Sequence, residues 1–435
     1  MPALTLPANH PRRVDLSEEV HARPPQPLTA PLSASYLVLY TGPEEQAADR
    51  AAIAALAARF SAAEPSEGAT HYNAHLGPVR VIWERHTEFT RYTFIRQKGD
   101  ERAPFDNPPI AEAPADWLAS LPGQVIFAAH VLMLDTGEDD SSLDETARRL
   151  FGDAELVGSR IASGGAVALT SFRSHGDGFN RYLIRNRNLS AIQAGRLMRS
   201  LLEMDTYRMM ALLGLPAARY LGRVMTDREQ ELAGITHEMA DGIHSDESGL
   251  LDRITRLQSD IERRHSQHRY RFGASAAYYG IVQARIEELR EERLEGLQTF
   301  AEFVERRLAP AMSTVEAVSD RLESMSEHLA RVTQLLSTRV ALTQQQDSRK
   351  LLAAMARRAK IQLRLQRTVE GLSIAAITYY LVGLVAYFAK GTEVLGLPLD
   401  AAIITAAAVP LVALALFIGL RRVRGRLGKS SDEED

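Results

Sequence analysis

Between Leu32 and Ile184 the chain alternates short apolar runs with turn-forming residues. "ASYLVLY", "VRVIWERHTEFTRYTFIRQ", "GQVIFAAHVLML" and "RIASGGAVALTSF" are rich in Val, Ile, Tyr, Phe and Thr and are bounded by Gly, Pro or Asp, the pattern of strands. Gly164-Gly165 divides two such runs and predicts a hairpin turn. Residues 44–63 are alanine-rich and predict a helix, with a short one over 113–119. Past Asn188, which reads as an N-cap, the pattern becomes helical through "LSAIQAGRLMRSLLEMDTYRMMALLG". Gly214 ends that helix and Pro216 opens the next. Further helices follow over roughly 216–242 and 249–293. Val315, Val318, Leu322, Met325, Leu329, Val332 and Leu336 then recur in steps of three and four, a heptad seam. Apart from Gly371, no breaker interrupts the chain from Met312 into the next apolar run, so one helix of about 75 residues is predicted. Its seam needs partners on the earlier helices, on other subunits, or on both.

Two long apolar runs close the chain. Residues 372–389 carry no charge, and residues 401–420 carry none either, with Pro410 inside the second. At a rise of about 1.5 Å per residue each spans roughly 27–30 Å, the thickness of a hydrocarbon core. Arg357, Arg358, Lys360, Arg364 and Arg367 precede the first run, and Arg421, Arg422, Arg424, Arg426 and Lys429 follow the second. Only Lys390 adds a positive charge to the connecting loop, so both ends are expected in the cytoplasm. The opening "MPALTLPANHPRRVDLSEEV" has no apolar signal-peptide core, which agrees.

The expected organisation is therefore an α/β domain on a mixed sheet (1–187), a helical stalk (188–370), a transmembrane hairpin (371–389 and 401–420) and a tail, first basic and then acidic (421–435). Charged residues make up 24% of the chain and hydrophobic ones 45%, which permits a large core. The net charge of −4 gives no reason to expect nucleic acid as a partner. The chain has no cysteine, which removes thiol catalysis, disulfides and thiolate metal sites.

The first apolar run is the more polar of the two. Ser373, Tyr380 and Tyr387 recur every seven residues and share one stripe, while Tyr379 and Tyr380 lie near the middle. A hydroxyl at that depth needs a partner, so the stripe reads either as a seam between helices or as the lining of a pore. In "THEMADGIHSDE", His237, Asp241 and His244 fall on one helical face and could hold a divalent cation, or form a solvated polar face. "ERRHSQHRYRFG" gathers Arg263, Arg264, Arg269 and Arg271 beside His265 and His268, a patch for anionic headgroups or an ordinary exposed turn. "SHGDGFN" lies between strand-like runs and reads as a turn, and "EEVHARPP", with His21 and Arg23, reads as a strap. No Walker, GxSxG or dinucleotide motif occurs, and no catalytic residue or cofactor is expected.

Two resemblances follow from these stretches. "NHPRRVDLSEEVHARP", "LLEMDTYRMMALLGLP" and "RFGASAAYYGIVQARIEELRE" resemble an uncharacterised bacterial family of membrane-anchored proteins, which brings no activity with it. The order of elements, and "LLAAMARRAKIQLRLQRTVEGLSIAAITYY" at the stalk-to-membrane passage, are similar to the CorA-type magnesium transporters. That resemblance implies a homopentamer in the cytoplasmic membrane, with Ser373, Tyr380 and Tyr387 facing the axis and the second helix facing lipid. The Gly-Met-Asn triplet of that superfamily is missing: the helix ends "AYFAKGTE", with Lys390 near the pore mouth beside Glu393 and Asp400. A lysine ring repels divalent cations unless those carboxylates neutralise it. The expectation is thus a CorA-like ion channel or transporter of unspecified ion. The alternative is a membrane-tethered scaffold or sensor with a protein partner and no transport.

Overall fold

The computed structural model describes residues 8–13, 26–97, 104–137, 142–241, 246–394 and 401–427. Two compact units divide it, one reaching Thr333 and one beginning at Gln334.

The first unit is built on a mixed sheet. Its described strands are β1 (Leu32–Tyr40), β2 (His71–Leu76), β3 (Val79–Arg85), β4 (Phe89–Gln97), β5 (Gln124–Asp135), β6 (Val157–Ile161), β7 (Ala166–Thr170), β8 (Asn180–Asn186) and β9 (Glu292–Arg293). They lie in the order β2-β3-β4-β1-β5-β8-β7-β6-β9. Only β5 and β8 pair in parallel, with Ala129 opposite Asn180. The quoted apolar runs become β1, the β3–β4 hairpin, β5 and the β6–β7 hairpin, the last turning over Ala162–Gly165 as Gly164-Gly165 predicts. "SHGDGFN" falls in the turn before β8.

β1 is buried on both faces because both are covered. The period of two sends Leu37, Leu39, Trp83, Tyr92 and Phe94 to one side. There they meet Ile53 and Leu56 of α1 (Pro43–Arg59) and Trp117 of α2 (Ala115–Ala119). A second cluster places Leu150 and Phe151 of α3 (Leu143–Phe151) with Leu132, Leu169, Leu183 and Leu294. The opposite side carries Tyr36, Glu84 and Arg91 against α4 (Ala191–Leu212), where the Thr206 hydroxyl donates to the Tyr36 oxygen at 3.2 Å.

α4 starts at Ser190, two residues later than the expected Asn188 cap. The Ser190 oxygen accepts from the Gln193 amide at 3.4 Å, while the Gln193 side chain accepts from the Ser190 amide at 2.9 Å. This reciprocal pair satisfies two donors where a lone Asn cap would satisfy one. α5 (Leu215–Asp241) and α6 (Glu247–Leu289) follow. α4 and α6 run antiparallel: Tyr207 stacks on Tyr278 at 5.6 Å, and Gly214 meets Ser275. A Cβ at Gly214 would stand 2.5 Å from the Ser275 hydroxyl, so glycine allows the approach. The helix expected to reach residue 293 stops at Leu289. Arg290 takes a left-handed conformation (φ 46°), and Glu292–Arg293 then joins the sheet edge.

After α7 (Phe300–Arg307), the long helix α8 runs over Ala309–Val394, 86 residues without a break. All seven seam residues from Val315 to Leu336 are buried. Within the first unit their partners are α5 and α6. Val318 packs at Gly222, Arg321 pairs with Glu229 at 2.7 Å, and Ser326 bonds Glu262. In the second unit residues 341–369 of α8 are exposed throughout, and α9 (Ala401–Leu427) follows.

Candidate functional site

Two places concentrate the chemistry. In the first unit it is a buried ionic network between sheet and helices. Arg91, in the apolar strand "FTRYTFI", is 3% exposed and donates from Nε to Glu84 at 2.5 Å and from Nη1 to Glu203 at 2.8 Å. Glu203 also accepts from Arg199 Nε at 2.7 Å and Arg285 Nε at 2.8 Å. Burial pushes the Glu203 carboxyl up, but the guanidinium groups of Arg91 and Arg199 outweigh it and hold the group at about 2. Glu84 is also held at about 2, with burial opposed by Arg91.

Neighbouring carboxylates are satisfied in the same way. Asp205 accepts from Tyr182 at 2.7 Å, Asn180 at 3.1 Å and Arg208 Nε at 2.6 Å. Glu88 accepts from Tyr278 at 2.7 Å and pairs with Arg271. The patch "ERRHSQHRYRFG" is thereby partly consumed. Arg271 turns inward to Glu88, and Arg264 and Arg263 bind Asp260, so the expected free basic surface is reduced. These carboxylates, each ringed by donors, brace the sheet against α4 and α6. "LLEMDTYR" supplies Glu203, Asp205, Thr206, Tyr207 and Arg208 to the brace. The sequence reading passed over this role. Its one signal was charge inside apolar segments, at Arg91, Glu203 and Asp205.

The expected cation cluster is represented by a single pair. His237 Nε2 lies 3.4 Å from Asp241 Oδ2, both exposed, and His244 lies outside the described residues. Among the described residues no group of three or more His, Asp or Glu side chains could hold a metal ion. His21 and Arg23 also lie outside the described residues.

The second place is the pair of apolar helices. Both α8 and α9 are long and apolar enough to cross a membrane, and their most apolar windows are only 6% and 0% buried. A core helix of a soluble fold would bury that surface. Within this unit Ile374, Thr378, Val382, Ala386 and Ala389 of α8 are shielded, as are Ile404, Thr405, Ala408, Val412 and Leu416 of α9, which marks the faces in contact. At about 100° per residue, Ser373, Tyr380 and Tyr387 fall on one stripe of α8. They are exposed, Tyr380 at 72% and Tyr387 at 81%. The three stripe residues therefore share one exposed face, and the rings of Tyr380 and Tyr387 reach a cavity also lined by Thr405, Val409 and Ala413 of α9. Lys390 is exposed in the last turns of α8, and Glu393 lies one turn further on in the same helix. Asp400 lies outside the described residues.

No curated protein and no solved structure matches the chain, so the CorA-like arrangement rests on the order of elements alone. A family model covers residues 8–427, nearly the whole sequence and all the stretches that build the network and both apolar helices. The chain belongs to the family described as "Protein of unknown function (DUF3422)".

Proposed function

We propose that the protein is a homo-oligomer of the bacterial cytoplasmic membrane, in which the first apolar helix of each copy lines a water-filled path for ions. The observation that carries this reading is the exposed Ser373–Tyr380–Tyr387 stripe of α8. The Tyr380 hydroxyl, near the middle of the run, needs a polar partner, and lipid tails offer none. A subunit with two membrane helices cannot enclose water alone, so several copies must turn this face inward. CorA-type transporters give five by analogy.

The exposed stretch 349–369 supports assembly of the same kind. Around that helix Leu351, Leu352, Met355, Leu363, Leu365 and Val369 share one arc with Arg358, Gln362 and Gln366, while Arg349, Arg357, Lys360, Arg364 and Arg367 occupy the other. Exposed leucines on one side of a helix, interspersed with groups that can hydrogen-bond across a seam, suit contact with a second copy. Both chain ends are placed in the cytoplasm by the positive charges flanking the two spans. Lys390, Glu393 and Asp400 then stand at the outer mouth, where their balance sets which ions enter.

The test is flux through the full chain reconstituted in liposomes, with Tyr380→Phe and Tyr380→Ala beside the parent and subunit number counted by native mass. A ring whose cation or anion flux changes with Tyr380 supports the path. A monomer or dimer, or flux indifferent to both substitutions, would leave the tyrosines as the seam of an anchor, and the protein as a tethered scaffold or sensor.

A further inference from the structure

We propose that the cleft between α4, the end of α6 and the β6–β7 turn binds the phosphate group of a small organic monoester. The cleft holds about 590 Å³, within the range of small-molecule sites. Its walls bring together Arg196, Arg199, Arg285 and Arg290 with Glu203 and Glu288, and Ala162, Leu189 and Leu197 add an apolar side. The site lies wholly in the first unit and is independent of the membrane reading.

Charge balance is the first argument. Glu203 is shared by Arg91, Arg199 and Arg285, Arg91 also holds Glu84, and Arg285 also holds Glu288 at 2.6 Å. Those three guanidinium groups and three carboxylates cancel. Arg196 and Arg290 line the same cleft, are exposed, and make no ion pair among the described residues. Two positive charges remain over, which a phosphate monoester dianion neutralises and a single carboxylate does not.

Preorganisation is the second argument. Arg285 spends Nε on Glu203 and Nη1 on Glu288, which fixes its plane and leaves Nη2 for a ligand oxygen. The Ser200 hydroxyl holds the other Glu288 oxygen at 3.2 Å. Arg290 is set at the rim by its left-handed backbone, with the Ala162 amide donating to the Leu289 carbonyl at 2.6 Å. A guanidinium held by two carboxylates, the buried Glu203 and the exposed Glu288, loses little rotamer freedom on binding, and its planar fork matches phosphate oxygens.

The experiment is calorimetric titration of the full chain, in nanodiscs of neutral lipid at constant ionic strength, with inorganic phosphate and with phenyl phosphate. Saturable binding at one site per chain is expected, weakened roughly tenfold or more by Arg196→Gln and by Arg290→Gln, each removing a charge-assisted contact. Arg331→Gln, an exposed charge on α8, should leave it unchanged. The phosphate could also come from a lipid headgroup. In that case phosphate gives no heat in neutral discs, while discs containing phosphatidylglycerol protect Arg196 and Arg290 from phenylglyoxal. No saturable heat and no such protection would overturn the site. So would equal binding by the parent and both cleft variants, or full displacement by chloride. Tryptophan fluorescence on unfolding verifies that each variant folds.

Discussion

Replacing Glu203 by Gln keeps the shape of the side chain and deletes the charge on which three guanidinium groups converge. Arg91, 3% exposed, would then face only Glu84, while Arg199 and Arg285 would lose their shared acceptor. The magnitude follows from linkage. The Glu203 carboxyl sits at about 2 in the folded protein against an ordinary 4.5. That difference corresponds to about 3 kcal/mol favouring the folded state at neutral pH. Breaking buried pairs by removing one partner costs roughly 3–5 kcal/mol, so the two routes agree. The sign is that of a depressed carboxylate: the contribution is complete above pH 4.5 and is lost as pH falls through 2. Both tryptophans, Trp83 and Trp117, lie in the core of the first unit, so their fluorescence reports this unit alone. Urea unfolding of the full chain in detergent should show Glu203→Gln less stable by about 3 kcal/mol at pH 7, with a shallower acid decline than the parent because one strongly depressed carboxylate no longer titrates there. An unchanged urea midpoint at pH 7, or an identical acid slope, would refute the claim that this carboxylate holds sheet and helices together.

Two further groups give opposite signs in the same assay. Burial, countered in part by Thr90 and Arg85, raises Asp49 to about 6 from an ordinary 3.8, so its ionised form opposes folding. The penalty is absent below pH 3.8 and grows as pH rises through 6, so Asp49→Asn should stabilise the first unit by about 1–3 kcal/mol at pH 7–8 and by nothing near pH 4; equal midpoints across that range would defeat the prediction. His130, bonded to Ser35 at 3.0 Å and stacked on Phe179 at 4.0 Å, is lowered to about 4 chiefly by burial. A depressed histidine gives full stability above pH 6.5 and loses it on acidification toward 4, here by about 3 kcal/mol, and His130→Phe should flatten that decline.

The parts of the fold that could be read from the sequence are those whose cause is local. Period-two runs placed β1, β3, β4 and β5, and the three-four spacing placed the α8 seam, because each side chain's face follows from its neighbours. β2, "HYNAHL", escaped because His71, Asn73 and His75 alternate with only a few apolar groups, and its pairing with β3 supplies the missing preference. β9 lies in a helical stretch and exists because Ser159 and Arg160 offer it an edge. The buried network was illegible for a similar reason. Glu88 and Arg271 stand 183 residues apart, and nothing within the span of a helix or strand announces that they meet. Ser190 is a different case, since its Gln193 partner was present three residues on and a lone Asn188 was preferred over that pair.

The long helix carries the last step. Its first part is buried along the seam by helices of its own chain, and residues 341–369 and the tyrosine face have no such cover among the described residues. Helices of this length are not held by propensity, which contributes tenths of a kcal/mol per residue; they are held by packing of an apolar face. An 86-residue helix that buries only its first part within the chain therefore requires a second environment for the rest. Residues 372–389 are long and apolar enough to find it in a membrane. Residues 349–369 carry five or more cations and do not suit lipid, and in the proposed assembly another copy of the same helix covers their exposed leucines. In that proposal assembly and membrane insertion are one requirement of the same helix, met by the stretch before Gly371 and the stretch after it.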